Sequence, residues 1–286
     1  MTYEHRQVQQ YFDAYGDREW HRLTRRPSDE VSAFIHGHYL AQFVRPGQRV
    51  LEIGAGPGRF TIMLAELGAV ITVTDLSAVQ LELNAHHVAQ AGHASAVEAR
   101  WQLDVTDLSG VPAAAFDHVV CYGGVLSYVA DQAPRAVREM LRVVRPGGHV
   151  LVSVMSRLHN LRKHKVLSRL PQLASVHGLP ALSDLMLGRH AELPCTDALP
   201  FRLYTAAEVR HLFGAHGAGV VAWSAVNCLS ANNDDHLAEL RQCPELWQQF
   251  LAWELELGGQ EGALETGHHL LAVARREALL SGDGPP

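Results

Sequence analysis

A glycine-rich turn follows an apolar, strand-like run early in the chain, where residues 50–60 read VLEIGAGPGRF. Glycines let the backbone approach a ligand closely, because no Cβ intervenes and a positive φ costs little. In a doubly wound sheet this first turn lies at the crevice where ligands bind. The spacing is G-x-G-x-G, which disfavours the G-x-G-x-x-G loop that seats a dinucleotide pyrophosphate on a helix N-terminus.

Short β-branched runs alternate with helical stretches after Pro46, which is typical of strand–helix–strand units in a parallel sheet. The pattern predicts five strands, at residues 50–53, 70–74, 99–103, 118–122 and 149–154. It predicts helices that begin near Arg59, Ala78, Ala133 and Ala206. Two further strands (219–227 and 268–274), a helix from 235 to about 257, and two N-terminal helices within 3–43 complete the prediction.

The composition predicts one globular domain with an insertion or a small second one, since 47% of the 286 residues are hydrophobic and 19% are charged. A net charge of -6 disfavours nucleic acid and anionic membranes as partners. Cys121, Cys195, Cys228 and Cys243 lie far apart, so we expect free thiols in a reducing cytosol. We also expect no secretion signal and no membrane span.

Two acidic residues stand at the ends of consecutive predicted strands. Asp75 can accept hydrogen bonds from both ribose hydroxyls of a nucleoside, which alone would fit NAD equally well. Asp104, at the end of the third strand, can accept from an adenine amino group, or it can cap the helix that follows. Together with the glycine turn, the pair indicates an adenosine-containing ligand.

These features resemble the class I S-adenosylmethionine-dependent methyltransferases. The resemblance rests on the glycine turn, Asp75, Asp104 and the RPGG sequence at residues 145–148 that precedes the fifth strand, and it covers residues 3 to about 276. The N-terminal YFD at 11–13 and the CYGG at 121–124 look like a subgroup that acts on small molecules. The nucleobase amino-methyltransferases usually carry an [Asp/Asn/Ser]-Pro-Pro-[Tyr/Phe] loop where this chain has CYGG.

The resemblance implies an α/β fold, a doubly wound, Rossmann-like, mostly parallel seven-stranded sheet with an antiparallel last strand. It implies S-adenosylmethionine as cofactor and S-adenosylhomocysteine as product, bound across the carboxyl ends of the first four strands. The implied cofactor residues are Tyr11, Glu52, Gly54, Ala55, Gly56, Gly58, Asp75, Leu76, Asp104, Val105 and Cys121. Among them, Cys121 would contact the methionine amino group through its backbone carbonyl, and Glu52 would support the loop indirectly.

The acceptor decides whether a catalytic base is needed, because thiols ionise near neutral pH and amines are already nucleophilic, whereas alcohols and phenols gain from a base. His159 follows the fifth strand and is the candidate base, with a surface histidine as the alternative. Tyr15, Tyr122, Tyr128, His159 and Tyr204 are the candidate substrate residues. Paired histidines without a third spaced ligand do not indicate a metal.

We therefore predict a cytoplasmic methyltransferase, monomeric or homodimeric, that moves a methyl group to an O, N or S atom of a small molecule in secondary metabolism. A tRNA or protein methyltransferase and a non-catalytic S-adenosylmethionine-binding regulator are the alternatives. The expected organisation is an N-terminal helical lid (1–45), a cofactor-binding core (46–155), an inserted substrate cap (156–203), a segment completing the sheet (204–276) and a disordered tail (277–286).

Overall fold

The computed structural model describes residues 2–22, 24–162, 164–187, 192–193, 199 and 201–278. Its centre is a seven-stranded sheet in the order β3-β2-β1-β4-β5-β7-β6. The strands are β1 (Arg49–Ile53), β2 (Val70–Asp75), β3 (Val97–Gln102), β4 (Phe116–Cys121), β5 (Val144–Met155), β6 (Ala218–Val226) and β7 (His269–Arg276). β1 to β5 are mutually parallel, and β7 runs antiparallel to both β5 and β6. The predicted α/β fold class is confirmed.

The central strands are apolar in nearly every position because helices cover both faces of the sheet. Side chains alternate between the faces, so Val50 and Leu51 belong to separate hydrophobic clusters. One cluster includes Met140 and Phe213 from helices on that face, and the other includes Ile35 and Leu64 from helices on the opposite face. This two-sided core holds the carboxyl ends of the parallel strands at one edge.

Helices precede, connect and follow the strands. They are α1 (His5–Tyr15), α2 (Arg18–His21), α3 (Pro27–Phe43), α4 (Arg59–Glu66), α5 (Ala78–Gln90), α6 (Val125–Tyr128), α7 (Ala133–Val143), α8 (Arg157–Arg162), α9 (His164–Met186), α10 (Ala206–Gly214), α11 (Asp234–Leu240) and α12 (Pro244–Gly258). The predicted starts at Arg59, Ala78, Ala133 and Ala206 are confirmed. α10 begins with the capping box of Thr205 and Glu208.

Three local predictions were wrong. The N-terminal region forms three helices instead of two, because Gly16 adopts a positive φ and ends α1 well before Pro27 starts α3. The predicted helix from 235 to about 257 is divided between α11 and α12, since Pro244 cannot continue a helix and begins the second one. β5 begins at Val144, before the RPGG sequence, with an irregular register opposite Phe116.

The segment between β5 and α10 contains α8 and α9, with non-helical backbone at Gly178 inside α9. A two-residue pairing of Glu192–Leu193 with Phe201–Arg202 follows. The segment was predicted to form a helical cap, and the described part of it is mainly helical. Cys195 and the predicted tail beyond residue 278 lie outside the described residues. Among the described helices, none is both long and apolar enough to cross a membrane.

Candidate functional site

A deep cleft opens where β1, β2 and β4 end, and the glycine turn forms one of its walls. Gly54, Gly56 and Gly58 all have positive φ, at 65°, 53° and 101°. A Cβ at Gly54 would overlap the side chain of Val125, so only glycine fits where this turn meets α6. The cleft measures about 890 Å3 including the solvent at its mouth, a volume suited to a nucleoside-sized ligand.

Asp75 lies at the cleft, where β2 ends. Its Oδ2 accepts the N–H of Gly56 at 2.9 Å, and its Oδ1 accepts the N–H of Ser77 at 2.8 Å. Burial raises the pKa of Asp75 to about 6, although the N–H groups of Ser77 and Gly56 favour the charged form. Each carboxylate oxygen has a second lone pair, so both remain able to accept a ligand hydroxyl.

Asp104 lines the cleft beyond the end of β3. Its Oδ1 accepts from both the N–H and the hydroxyl of Thr106, at 2.8 Å each. Its Oδ2 accepts the phenol of Tyr3 at 3.0 Å. The alternative role of capping a helix is wrong, because residues 103–115 form turns and no helix; Asp104 instead closes a turn with Thr106 and still lines the cleft. Burial and Asp104 together raise the pKa of Tyr3, so its hydroxyl stays a donor.

Glu52 lies beneath the glycine turn and does not line the cleft. Its Oε2 accepts the hydroxyl of Thr61 at 2.6 Å, while no described residue donates to its buried Oε1. Burial raises the pKa of Glu52 to about 8, so this carboxyl group is largely protonated at neutral pH. A protonated Glu52 can therefore donate a hydrogen bond beneath the glycine turn.

The N-terminal helices cover the cleft. Asp13 accepts a hydrogen bond from Ser77, and the Gln80 side-chain amide donates to the carbonyls of Phe12 and Gly16 at 3.1 Å each. Trp20 packs against His87 and Arg59, which flank the glycine turn. The cleft-lining side chains that this region adds are Tyr3, Val8, Phe12, Glu19 and Arg22. None of them was predicted as a site residue, although Val8 and Phe12 share the i, i+4 spacing of one helix face.

A second cavity adjoins the first and differs in chemistry. Arg22, Phe60 and Gly123 line both cavities, so the two cavities share part of their walls. Its other lining residues are Arg25, Arg26, Ser28, Asp29, Ser32, His36, His159, Asn227, Ala231, Asn232, Asp234, His268 and His269. In the part of the chain that the structure describes, no group of three or more His, Cys, Asp or Glu side chains is arranged to hold a metal ion.

The cleft residues fit S-adenosylmethionine. Gly54 and Gly56, both with positive φ, leave the backbone bare on one wall, and the carboxylates of Asp75 and Asp104 line the same cleft. The aromatic rings of Tyr3 and Phe12 line it as well, and aromatic faces suit a sulfonium cation. Such a set matches an adenosine with a cationic sulfur.

Comparison with known proteins points the same way. Residues 50–148 match the family model described as a methyltransferase domain. Residues 50–148 are thus similar to the methyltransferase domain of the class I S-adenosylmethionine-dependent methyltransferases. S-adenosylmethionine is the cofactor of that family.

One relative of the chain is the ubiquinone biosynthesis O-methyltransferase of Alkalilimnicola ehrlichii, which is 31% identical over 150 residues. That match covers 51% of the present chain and 58% of the relative, so the chain spans little more than half of the relative's length.

Two solved structures share the fold. The CcbJ methyltransferase of Streptomyces caelestis has a TM-score of 0.60 at 14% identity, with 96% of this chain and 100% of the other covered. The Burkholderia thailandensis 1,6-didemethyltoxoflavin-N1-methyltransferase, solved with 1,6-didemethyltoxoflavin and S-adenosylhomocysteine bound, has a TM-score of 0.57 at 19% identity, with 95% and 88% covered.

The residues predicted to bind the methyltransferase cofactor fall into two groups. Gly54, Ala55, Gly56, Asp75, Leu76, Asp104 and Val105 line the cleft. Tyr11, Glu52, Gly58 and Cys121 do not. Burial raises the pKa of the Cys121 thiol to about 12, so this thiol is neutral in the core. Tyr11 instead stacks on Tyr15 with ring centroids 5.8 Å apart.

The predicted substrate residues also divide. Tyr122 and Tyr128 line the cofactor cleft, and His159 lines the second cavity. Tyr15 lines neither. The prediction that Tyr204 contacts the substrate was wrong. Tyr204 is only 1% exposed, and its phenol donates to the Leu126 carbonyl within the core. None of the described residues that line the second cavity is a tyrosine.

Proposed function

We propose that the protein transfers the methyl group of S-adenosylmethionine to an O, N or S atom of a small molecule, with the cofactor in the cleft and the acceptor in the second cavity. The observation that carries this proposal is the shared boundary of Arg22, Phe60 and Gly123, which brings the two sites into contact. The O-methyltransferase relatives support a small-molecule acceptor.

The cofactor would supply an electrophilic methyl group on a positively charged sulfur. An acceptor lone pair would bond to the methyl carbon in line with the carbon–sulfur bond, and S-adenosylhomocysteine would leave. The chain must hold the acceptor at the boundary between the cavities, orient it and exclude water. α1 and α2 contribute by covering the cleft. Glu52 and the backbone of the glycine turn preorganise the cofactor side, because their positions are fixed by Thr61 and by the Gly56–Asp75 hydrogen bond.

His159 is the proposed base where the acceptor is an alcohol or phenol. Its Nδ1 lies 3.2 Å from the carbonyl oxygen of Thr266, which fixes the ring on the wall of the second cavity. A backbone carbonyl can only accept, so Nδ1 carries the hydrogen and Nε2 is the basic nitrogen of the neutral ring. A thiol or amine acceptor would not need this residue.

The motifs shared with the small-molecule subgroup support a role in secondary metabolism. Cys121, Cys228 and Cys243 are free thiols, which supports a cytoplasmic setting. We retain the proposal of a small-molecule acceptor over tRNA or protein, because the net charge of -6 gives no general attraction for RNA.

The test begins with calorimetric titration of the protein with S-adenosylmethionine, S-adenosylhomocysteine and NAD. We expect both adenosyl compounds to bind and NAD to fail, since the glycine spacing does not seat a pyrophosphate. A panel of thiol, amine and phenol acceptors then reports methyl transfer through release of S-adenosylhomocysteine. Binding of NAD alone would refute the cofactor assignment, and cofactor binding without turnover of any acceptor would favour the regulatory alternative.

A further inference from the structure

One face of α3 forms a polar wall of the second cavity. Ser28, Ser32 and His36 are spaced four residues apart, which places them on the same side of the helix. All three are buried against the protein and still line the cavity. The helix thus presents two hydroxyls and an imidazole where an apolar acceptor would need aliphatic or aromatic contacts.

His36 contributes a neutral ring to this wall. Its Nδ1 donates to the Ser32 carbonyl at 2.8 Å, and burial lowers its pKa to about 4. Positive charge in the cavity therefore comes from the arginines rather than from His36.

The two carboxylates of the cavity share the guanidinium of Arg26 and accept backbone hydrogen bonds. Asp29 accepts from Arg26 at 3.2 Å, and Asp234 lies 3.7 Å from the same guanidinium. Backbone N–H groups also donate to them, from Arg26 to Asp29 and from Ser28 to Asp234. These acids therefore have little capacity left to attract a cationic acceptor.

The three arginines of the cavity are not equivalent. Arg22 pairs with Glu19 at 2.6 Å, and Arg26 pairs with the two aspartates. Arg25 forms no ion pair with any residue that the structure describes, and it stands exposed on the cavity wall. Its planar guanidinium offers five donors in a fork that matches a carboxylate or phosphate.

We propose that the second cavity selects a hydrophilic methyl acceptor bearing a carboxylate or phosphate group, and that Arg25 binds this group. The inference rests on the proposed function, because it names the acceptor class of the same site. An apolar acceptor would desolvate Ser28, Ser32 and the cavity histidines without replacing their hydrogen bonds, and sites built from polar groups reject ligands that cannot pair with them.

The experiment compares matched probes on the full chain. Calorimetry measures the binding of 4-hydroxybenzoate, 4-hydroxybenzamide and inorganic phosphate, with and without saturating S-adenosylhomocysteine. We expect at least one of the two anions to bind about tenfold more tightly than the amide, the size of one charge-assisted hydrogen bond. The phosphate and carboxylate arms show which anionic group the cavity prefers.

Arg25→Gln is the test variant, and Arg138→Gln is the matched control, since Arg138 is an exposed arginine on α7 that lines neither cavity. Arg25→Gln should lower anion affinity about tenfold and leave the affinity for S-adenosylhomocysteine unchanged. Arg138→Gln should change neither.

Affinity of both anions no higher than that of the amide, or retention of wild-type anion affinity in Arg25→Gln, would each overturn the inference. S-adenosylhomocysteine binding is measured first on the same samples. Its absence would refute the proposed function, while anion binding to the ligand-free protein would still decide whether Arg25 makes the cavity anion-selective.

Discussion

The two cavities meet at Gly123 but are built in opposite ways. The cofactor cleft takes its key groups from consecutive strand ends, so the glycine turn, Asp75 and Asp104 follow one another along the chain. The second cavity collects side chains from α3, α8, the region after β6 and the start of β7. Its chemistry is also different, because arginine, histidine and serine line it beside the shared Phe60 and Gly123. Cofactor recognition is thus a local property of the sheet, while acceptor recognition depends on tertiary assembly.

The largest effect on ligand affinity should come from Gly56→Val, which changes the cofactor cleft and leaves the second cavity unaltered. Gly56 has φ of 53°, a conformation that a β-branched residue adopts only with strain, and the new side chain would project toward Glu19 and Gln80. We expect the affinity for S-adenosylhomocysteine to fall about a hundredfold, measured by calorimetry.

Gly110→Val is the matched control for this change, because a Cβ at Gly110 meets no atom within 4 Å and its φ is not positive. It should retain full affinity. Wild-type affinity in a folded Gly56→Val protein would show that the turn does not hold the cofactor.

His159→Ala tests the second cavity. A general base contributes about a hundredfold or more, so we expect kcat/KM for phenol acceptors to fall by about that factor. Thiol acceptors should lose only a fewfold, because they ionise without help. His211→Ala, an exposed histidine on α10 that lines neither cavity, should leave both rates unchanged. Equal losses for phenols and thiols would mean that His159 serves only to shape the cavity.

The contrast between the cavities explains what the sequence could predict. The amino-acid pattern alone was enough to place the glycine turn and the acidic residues at one edge of the sheet. Each of these features is recognised from a few neighbouring residues at the end of a strand. Tyr204 was predicted as a substrate residue, but its phenol donates to the Leu126 carbonyl in the core, a contact between distant positions that the local pattern does not reveal. The break between α11 and α12 was signalled by Pro244, and the longer apolar periodicity hid it.

Arg25 and the polar face of α3 could not have been selected from the sequence. The S-x-x-x-S-x-x-x-H spacing of residues 28–36 is readable, but many surface helices carry such a pattern, and only the packing of α3 against β6 turns it toward a cavity. The pairing of Arg26 with Asp234 spans more than two hundred positions, so the charge left on Arg25 depends on contacts distant in the chain.

Asp75→Asn tests whether cofactor binding in the cleft depends on pH through the Asp75 carboxylate. The carboxylate is the better acceptor for ribose hydroxyls, and the pKa of Asp75 is raised to about 6 by burial. S-adenosylhomocysteine affinity should therefore rise as pH increases through about 6 in the wild type. Asp75→Asn should bind about tenfold more weakly at pH 8 and lose this pH dependence. Calorimetry at several pH values measures both effects.

Folding stability should move in the opposite direction, which separates binding from structure. A raised pKa means that the folded protein holds this proton more tightly than the unfolded chain, so the stabilisation is fully present below about 4 and is lost as pH rises through about 6. Asp75→Asn carries no such loss, and its Tm relative to wild type should increase from pH 4 to pH 8. A flat difference in Tm would contradict the shifted pKa.

Tyr3→Phe should give the smallest effect and distinguishes two roles for the N-terminal segment. The phenol of Tyr3 donates a hydrogen bond to Oδ2 of Asp104 at 3.0 Å, and the N–H of Thr106 donates to Oδ1. If Tyr3 orients the carboxylate for the adenine, its loss should weaken S-adenosylhomocysteine binding about threefold, the worth of one neutral hydrogen bond. Tyr11→Phe, outside both cavities, is the control. Tighter binding by Tyr3→Phe would contradict this role and show that the phenol competes with the adenine for Asp104, so that the segment opposes cofactor entry instead of completing the site.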